Sequence, residues 1–218
     1  MAAKSRTPLS RERILRAGLE LADEHGVEAL TMRRLGDQLG FEAMSLYRHV
    51  KNKDDLLDGM LGLVLAEWEL PAAEGDWGEA VRRSARSVHD ALSRHPWAAS
   101  LMMAPSRLQR ARLEYMDALL GRLRSAFSAE TTYVAYHVLD AHIFGFSLWE
   151  TGHNWTGSAE EAERLMSSIA WDDLPHLAEH RDQHMTDGLH SELRAFDLGL
   201  DLILAGLRAR ALAGDVER

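Results

Sequence analysis

Apolar residues recur roughly every three or four positions along most of the chain, which is the spacing of one face of an α-helix. No stretch shows the sustained alternation of polar and apolar residues that indicates a half-buried β-strand. The glycines and prolines fall mostly between the apolar segments and seldom inside them. The pattern therefore predicts an all-α protein.

The N-terminal part contains three short helical segments. The first ends at Gly26, a residue type that commonly follows the last turn of a helix. Thr31 is the predicted N-cap of the second segment, which ends at Gly40. Only two residues separate Gly40 from the third segment, Ala43–His49. So short a turn predicts a helix-turn-helix, the motif that places its second helix in the major groove of DNA.

The third segment contains Tyr47, Arg48 and His49, whose side chains are able to donate hydrogen bonds to DNA. Asn52 is predicted to cap a further helix that starts at Lys53. The backbone N–H groups of that helix start, together with the Lys53 ammonium, form a seat for a phosphate. From the spacing alone, a three-helix bundle that never meets DNA remains an alternative.

Two stretches of this region, ALTMRRLGDQLG and SLYRHVKNKDDLL, are specific enough to indicate a family. They resemble the DNA-binding domain of the tetracycline-repressor (TetR) family, and the resemblance extends from Leu9 to Ala66 without a gap. It implies an N-terminal three-helix DNA-binding domain over residues 1–66. It also implies an all-helical effector-binding and dimerisation domain over residues 67–218. The implied function is that of a homodimeric repressor released from a palindromic operator by a small molecule.

The resemblance also implies which side chains meet double-stranded operator DNA. The set is Thr31, Arg33, Ala43, Met44, Ser45, Tyr47, Arg48, His49 and Lys53. In the family pattern, residues 43–45 read bases, and the positions of Tyr47, His49 and Lys53 bind phosphates. Ala43-Met44 stands where the namesake repressors carry Gln-Pro, so we expect a different operator. Arg48 replaces their Trp and is able to contact guanine.

The charge is distributed unevenly along the chain. The 218 residues carry a net charge of −9, but residues 1–53 hold 10 Lys and Arg against 7 Asp and Glu, a net +3. The remainder holds 15 against 27, a net −12. Positive charge therefore lies where DNA would bind. Without cysteine, a secretory h-region or an apolar run of about 18 residues, we expect a cytoplasmic protein with no membrane partner and no cofactor.

The C-terminal part is predicted to be helical almost throughout. Asp76 caps a helix that runs to about Arg94, where Pro96 follows. The further predicted elements are a short segment over 97–103, a long helix capped by Ser106 and ending at Phe127, a helix from Ser128 or Thr131 to Gly152, a helix over 160–169, an irregular or weakly helical stretch over 171–187, and a last helix over 188–213.

The last helix is apolar around too much of its circumference for an ordinary surface helix. Its two glycines would allow a partner helix to approach closely. The pattern Phe-x-x-Gly-Leu-Asp-x-Ile-x-x-Gly-Leu resembles the C-terminal helix of tetracycline repressors, which implies a four-helix dimer interface with the helix over 132–150. The implied interface residues are Phe196, Gly199, Leu200, Ile203, Gly206 and Leu207. A central core helix of a monomer is the alternative.

The middle helices are rich in methionine and aromatic residues, which line pockets for drug-sized molecules. The predicted effector residues are Met102, Met103, Tyr115, Met116, His137, His142, Phe146, Trp149 and Asn154. Ordinary core packing is the alternative for any one of them. By resemblance, Ser100 and Met103 stand where tetracycline sensors carry the His and Thr of their drug–magnesium site. We therefore expect a largely apolar effector rather than a chelated tetracycline.

Three histidines, His176, His180 and His184, recur every fourth residue and would share one helix face as a weak candidate for a metal site. Pro175 before them and Gly188 after them favour a short exposed element instead. No nucleophile motif or spaced carboxylate pair supports catalysis, so we expect no enzyme activity. The remaining functional alternative is a protein that binds or sequesters small molecules and retains a vestigial helix-turn-helix.

Overall fold

The computed structural model describes residues 8–104, 107–153, 158–187 and 189–212; within these ranges the side chains of 152, 153, 159, 162 and 183–194 fall outside the description. All regular structure in the described residues is helical, which confirms the all-α prediction. The α-helices are α1 (Arg11–His25), α2 (Met32–Leu39), α3 (Ala43–Leu46), α4 (Lys53–Leu65), α5 (Trp77–Arg94), α6 (Pro96–Met102), α7 (Arg110–Arg124), α8 (Ala129–His153), α9 (Ala159–Ser167), α10 (Pro175–Asp187) and α11 (Leu189–Leu212). None of the described helices has the length and apolarity needed to cross a lipid bilayer.

Local capping sets the ends of the N-terminal helices. The Thr31 hydroxyl accepts a hydrogen bond from the Arg34 N–H at 3.2 Å, as expected of an N-cap. Gly40 ends α2 in the left-handed conformation with φ 73°, which glycine adopts without steric cost. Gly36 allows the turn to close on α2, because a Cβ there would lie 2.7 Å from the Phe41 carbonyl oxygen. The helix-turn-helix therefore depends on two glycines.

The third helix is shorter than the predicted segment. α3 ends at Leu46, and residues 47–49 continue as a turn. Leu46 and Val50 are both buried, so this turn is held to the N-terminal core at each end. Asn52 then caps α4 as predicted, with its side-chain oxygen 2.8 Å from the Asp55 backbone nitrogen.

One continuous hydrophobic core connects the two halves of the chain. It extends from Ile14 in α1 to Leu204 in α11, and it includes Leu65, Trp68 and Val81 on either side of the connection between α4 and α5. α8 is the central element of the C-terminal half, where it packs against α5, α6, α7 and α11. The chain thus places α4 between the helix-turn-helix and the C-terminal bundle.

Partly buried polar contacts join the halves beside this core. His95, at the start of α6, is 5% exposed, and its Nδ1 lies 2.9 Å from the Asp23 carboxylate of α1. Its Nε2 lies 3.2 Å from Glu67, just beyond α4. Trp97 Nε1 donates to Asp23 at 2.7 Å. Residues separated widely in sequence therefore hold α6 to both α1 and α4.

α7 and α10 also differ from the sequence prediction. α7 starts at Arg110 and ends at Arg124, so it is shorter than the helix predicted from a Ser106 cap to Phe127. Ser106 itself lies outside the described residues. The reason is tertiary: Gln109 turns back to α4 and donates to the Asp58 carbonyl at 2.8 Å. The stretch predicted as irregular contains a regular helix, α10, with Pro175 at its first position, where proline is favoured.

Candidate functional site

The helix-turn-helix exposes most of the side chains predicted to meet DNA. Met44 on α3 is 73% exposed, and Tyr47 and Arg48 in the following turn are also exposed. Thr31, Arg33 and Lys53 are exposed on the flanking helices, whereas Ala43, Ser45 and His49 are half-buried. A methionine with that exposure in a well-packed bundle gains nothing from the protomer's own core. This surface carries exposed polar and apolar side chains of the kinds that contact bases and phosphates in a major groove.

A charged network fixes the turn after α3. Arg11 Nη2 lies 2.8 Å from one carboxylate oxygen of Asp55, and Arg11 Nη1 donates to the His49 carbonyl at 3.0 Å. The other oxygen of Asp55 accepts from the Lys51 backbone N–H at 2.8 Å. The bond to Arg11, aided by that to Lys51, lowers the pKa of Asp55 to about 2. Arg11 thus holds in place the backbone that carries Tyr47, Arg48 and His49.

Arg11 did not emerge from the sequence as a functional residue. It is an exposed arginine in the first turn of α1, and its partners lie about forty residues further along the chain. Helical periodicity relates residues within one element only. No signal in the sequence pairs it with Asp55.

The start of α4 combines features that attract a phosphate. Asn52 caps the helix, and the first-turn backbone N–H groups and the exposed Lys53 lie at the positive end of the helix dipole. Two acidic residues, Asp54 and Asp55, share that turn. Their charges oppose anion binding unless neighbouring cations compensate them.

The predicted effector residues occupy different environments. Met102 and Tyr115 are buried, Met116, His142 and Phe146 are half-buried, and Met103, His137 and Trp149 are exposed. Asn154 lies outside the described residues. His137 Nδ1 is 2.8 Å from the Tyr133 carbonyl one turn earlier on α8, so this ring lies on the outer surface. The structure therefore brings together only part of the set.

Two aromatic clusters occupy the C-terminal core. In the first, the rings of His89 and His142 stack on Phe196, with centroid distances of 3.8 and 4.9 Å. The buried His89 also places Nε2 3.0 Å from Glu150. His142 Nε2 lies 2.9 Å from the Phe196 carbonyl oxygen. Both imidazoles are thus engaged between α5, α8 and α11.

The second cluster surrounds Trp68, which the sequence analysis did not single out. Trp68 packs edge-on against Tyr115 and Phe144, with centroid distances of 5.0 and 6.1 Å. The Arg112 guanidinium lies over Phe144 at 4.8 Å. Burial raises the pKa of Tyr115 to about 12 and also raises the pKa of Asp140 nearby on α8. The sequence signal for this cluster was the position of Trp68 directly after α4.

Trp68 also carries a buried donor without a partner. Its indole Nε1 has no hydrogen-bond acceptor among the described residues. A buried N–H of this kind costs about 1–3 kcal/mol unless something accepts from it. Trp68 lies just beyond α4, so an acceptor bound there would contact the end of the helix that begins at Lys53.

The last helix presents two faces with different partners. Phe196 and Leu200 are buried inside the protomer, and a Cβ at Gly199 would lie 2.4 Å from the His142 ring. These predicted interface residues therefore belong to the protomer's own packing. Ile203 and Leu207 are half-buried, and a Cβ at Gly206 would meet open space.

The sequence predicted only part of an apolar stripe that lies on the outer face of α8 and α11. Its large exposed members are Val134, Val138, Leu198 and Leu202, the last 66% exposed. A groove between the two helices is lined by residues of this stripe together with Gly206 and Leu207. Val134, Val138 and Leu202 line this groove, and Leu198 lies one turn before Leu202 on α11. Exposed aliphatic side chains grouped in this way mark an association site.

The histidine-rich segment lacks the geometry of a metal site in its described part. His176 and His180 are exposed on α10, and the His184 side chain lies outside the described residues. Among the described side chains, no group of three or more potential ligands comes close enough to share an ion.

Comparison with protein families assigns both halves of the chain. Residues 14–60 match the family described as bacterial regulatory proteins, tetR family. Residues 70–211 match the family described as tetracyclin repressor-like, C-terminal domain.

Individual relatives cover nearly the whole chain. An HTH-type transcriptional regulator of Saccharopolyspora erythraea is 32% identical over 216 residues, covering 96% of this chain and 89% of the relative. A class A tetracycline repressor of Escherichia coli is 32% identical over 210 residues and covers 94% of both. The crystal structure of the Streptomyces coelicolor TetR family protein ActR in complex with actinorhodin matches with a TM-score of 0.68 at 31% identity, covering 94% of this chain and 99% of ActR.

The Arg11–Asp55 pair gives a pH-dependent prediction. The pKa of Asp55 is lowered from 3.8 to about 2, so the pair stabilises the fold above about pH 4 and ceases to do so as the pH falls through 2. In Arg11→Met we expect the pKa of Asp55, followed by NMR, to rise toward 3.8. The difference in thermal stability between variant and wild type should shrink between about pH 4 and pH 2.

The exposed pair of Arg16 and Glu12 on the same helix provides the control. Arg16→Met should leave the Asp55 titration unchanged. An Asp55 pKa that does not move in Arg11→Met would contradict the assignment of this network.

Proposed function

The chain belongs to the TetR family of ligand-responsive, DNA-binding transcriptional repressors, and we propose that it acts as a homodimer released from a palindromic operator by a largely apolar effector. The observation that carries the proposal is the surface of the helix-turn-helix. Met44, Tyr47 and Arg48 are exposed while the flanking Leu46 and Val50 are buried. Members of this family are regulators and generally not enzymes.

For DNA contacts we propose the division that the family resemblance implies. Residues 43–45 read bases, and Arg33 reaches a base edge or a phosphate. Arg48, which replaces the family's Trp, adds a contact to guanine. Tyr47, His49 and Lys53 bind phosphates, with Thr31 supporting the start of α2. The exposure of Lys53 and the helix start beneath it support this assignment.

For assembly we propose that α8 and α11 of two protomers form a four-helix interface. The stripe of Val134, Val138, Leu198 and Leu202, continued by Gly206 and the half-buried Ile203 and Leu207, supports it. A two-fold dimer also presents two recognition helices to the two halves of a palindrome.

For the effector we propose an aromatic, largely apolar molecule with a hydrogen-bond acceptor for Trp68. Trp68, Tyr115 and Phe144 supply an aromatic surface, and Trp68 Nε1 has no acceptor among the described residues. ActR, the similar protein from Streptomyces coelicolor, has been crystallised with actinorhodin and with (S)-DNPA, which makes these two compounds reasonable probes. The effector must bind the released conformation more tightly than the DNA-bound one.

Fluorescence anisotropy with the DNA upstream of the protein's own gene tests the central proposal. Specific binding that competes with excess random DNA is the expected result. Binding no tighter than to random sequences would instead favour the alternative of a sequestering protein with a vestigial helix-turn-helix.

Lys53→Ala should weaken binding to all DNA sequences alike, because a phosphate contact carries no sequence information. The slope of log affinity against log salt should fall by about one ion per lost contact. Arg16→Ala removes a positive charge that pairs with Glu12 outside the proposed surface, and it serves as the control. An unchanged affinity and salt slope in Lys53→Ala would rule out the phosphate seat.

Gly206→Leu should break the dimer and leave the protomer folded, because the added side chain meets open space within one chain. Overpacking at the interface costs on the order of 1–3 kcal/mol per site. Sedimentation should show a dimeric wild type and a largely monomeric variant at micromolar concentration. Gly121→Leu is the matched control, since a Cβ there also meets nothing within 4 Å. A wild type that sediments as a monomer would contradict the interface.

Trp68→Phe should weaken effector binding by about two- to tenfold, because it removes one donor and keeps an aromatic ring. Thermal shift with actinorhodin or (S)-DNPA measures this, since a ligand at a hundredfold excess over its Kd stabilises by about 2.7 kcal/mol. Trp171→Phe is the control, because its indole donates to the Met166 carbonyl outside this core. Stabilisation only by metal ions or highly charged metabolites would contradict an apolar effector.

A further inference from the structure

The phosphate seat at the start of α4 carries an unfavourable charge balance of its own. Lys53 is followed by Asp54 and Asp55, and Asp58 lies one turn further along. Acidic residues in a first turn stabilise the helix dipole, so they suit the helix itself. Toward a DNA phosphate they act in the opposite direction, because each carboxylate beside the seat repels it. The seat requires compensating cations.

Two arginines from different parts of the chain supply this compensation. Arg11, within the N-terminal bundle, pairs with Asp55. Arg107 pairs with the other two carboxylates: Nη1 lies 2.6 Å from Asp58, and Nη2 contacts Asp54. Asp54 and Asp58 are spaced by four residues, so they lie on one face of α4, where a single guanidinium spans both.

Arg107 belongs to the segment between α6 and α7, in the C-terminal half of the chain. Its side chain is only 15% exposed, whereas that of Asp54 is 75% exposed. Burial opposes its charge, but the bonds to Asp54 and Asp58 raise the pKa of Arg107, so the guanidinium stays charged. Gln109 adds a second attachment of the same segment to the Asp58 carbonyl. Arg107 is thus turned toward α4 and not outward as a free DNA contact.

We propose that Arg107 is a positioning residue for DNA binding that masks Asp54 and Asp58, so that the effector half of the molecule sets the charge of the phosphate seat on α4. The inference rests on the proposed phosphate-binding role of the Lys53 helix start. It adds a route by which the C-terminal half acts on DNA affinity: a displacement of the segment around Arg107 would expose the two carboxylates to the operator.

Removal of the mask should weaken DNA binding through repulsion. One unit charge about 7 Å from a phosphate in a water-like medium changes affinity about threefold, and two half-sites give about tenfold for a dimer. Arg107→Met keeps much of the aliphatic stem but not the charge. In fluorescence anisotropy at low salt we expect this variant to bind operator about tenfold more weakly than wild type. Arg107→Lys should bind much as wild type does.

The decisive measurement is rescue by removal of the repelling charges. In Arg107→Met combined with Asp54→Asn and Asp58→Asn, affinity should rise to the wild-type level or above it, because the three groups sum to −1 in wild type, −2 in Arg107→Met and 0 in the triple variant. The same two asparagines in the wild-type background should also raise affinity, because they remove both carboxylates and leave the Arg107 charge in place. A gain in affinity there separates masking from a structural strap, because a strap that has lost both of its carboxylate partners would weaken binding. Arg110→Met is the control, because Arg110 is highly exposed and pairs with Glu114 of the same helix.

The outcomes separate the inference from the proposed function. If wild type fails to bind operator, the proposed function fails. If wild type binds and the triple variant stays as weak as Arg107→Met, Arg107 acts as a structural strap or contacts phosphate itself, and masking is overturned. Unchanged affinity in Arg107→Met also overturns it. Thermal unfolding of each variant shows whether a loss of binding reflects a loss of fold.

Discussion

The position of the helix-turn-helix relative to the rest of the molecule depends on one buried side chain. His95 lies between the carboxylates of Asp23 and Glu67, and Trp97 donates to Asp23 as well. Three elements meet at this point: α1, the end of α4 and the start of α6. His95 and Trp97 are buried, so loss of the Asp23 carboxylate would leave the Trp97 N–H without its acceptor, which costs about 1–3 kcal/mol. The cluster therefore holds the DNA-binding surface to the C-terminal core in one arrangement.

In this arrangement the two ends of α4 have different proposed roles, one in DNA binding and one in effector binding. Its first turn carries Lys53, the proposed phosphate seat, and Trp68 lies just beyond its last turn with a donor that lacks an acceptor. Glu67, between them in the chain, is bound by His95 and by Arg94. An effector that engaged Trp68 would therefore act within a few residues of the junction. Such a ligand shifts the equilibrium between the DNA-bound and the released conformation only if its contacts differ between them. A hydrogen bond from Trp68 is a contact that can differ.

The sequence predicted the features that depend on neighbouring residues, and it failed for those that depend on contacts between distant residues. Thr31, Asn52 and Asp76 were identified as caps because capping acts over three residues, and the structure confirms all three. The start of α7 was wrong because Gln109 is held by α4, about fifty residues earlier. Arg11, Arg107 and Trp68 escaped detection for the same reason: helical periodicity contains no information on which distant residue a side chain meets.

The two glycines of α11 show why periodicity also left the dimer surface unresolved. Both looked like sites of close helix approach, yet Gly199 accommodates His142 of its own chain, whereas Gly206 faces open space. The last helix is thus apolar on two sides for two reasons, with Phe196 in the core and Leu202 outside. α8 has the same division, with Leu139 inside and Val138 outside. Because one pair of helices lines both the aromatic core and the proposed interface, a ligand that repacks the core must also shift the surface on which the partner rests.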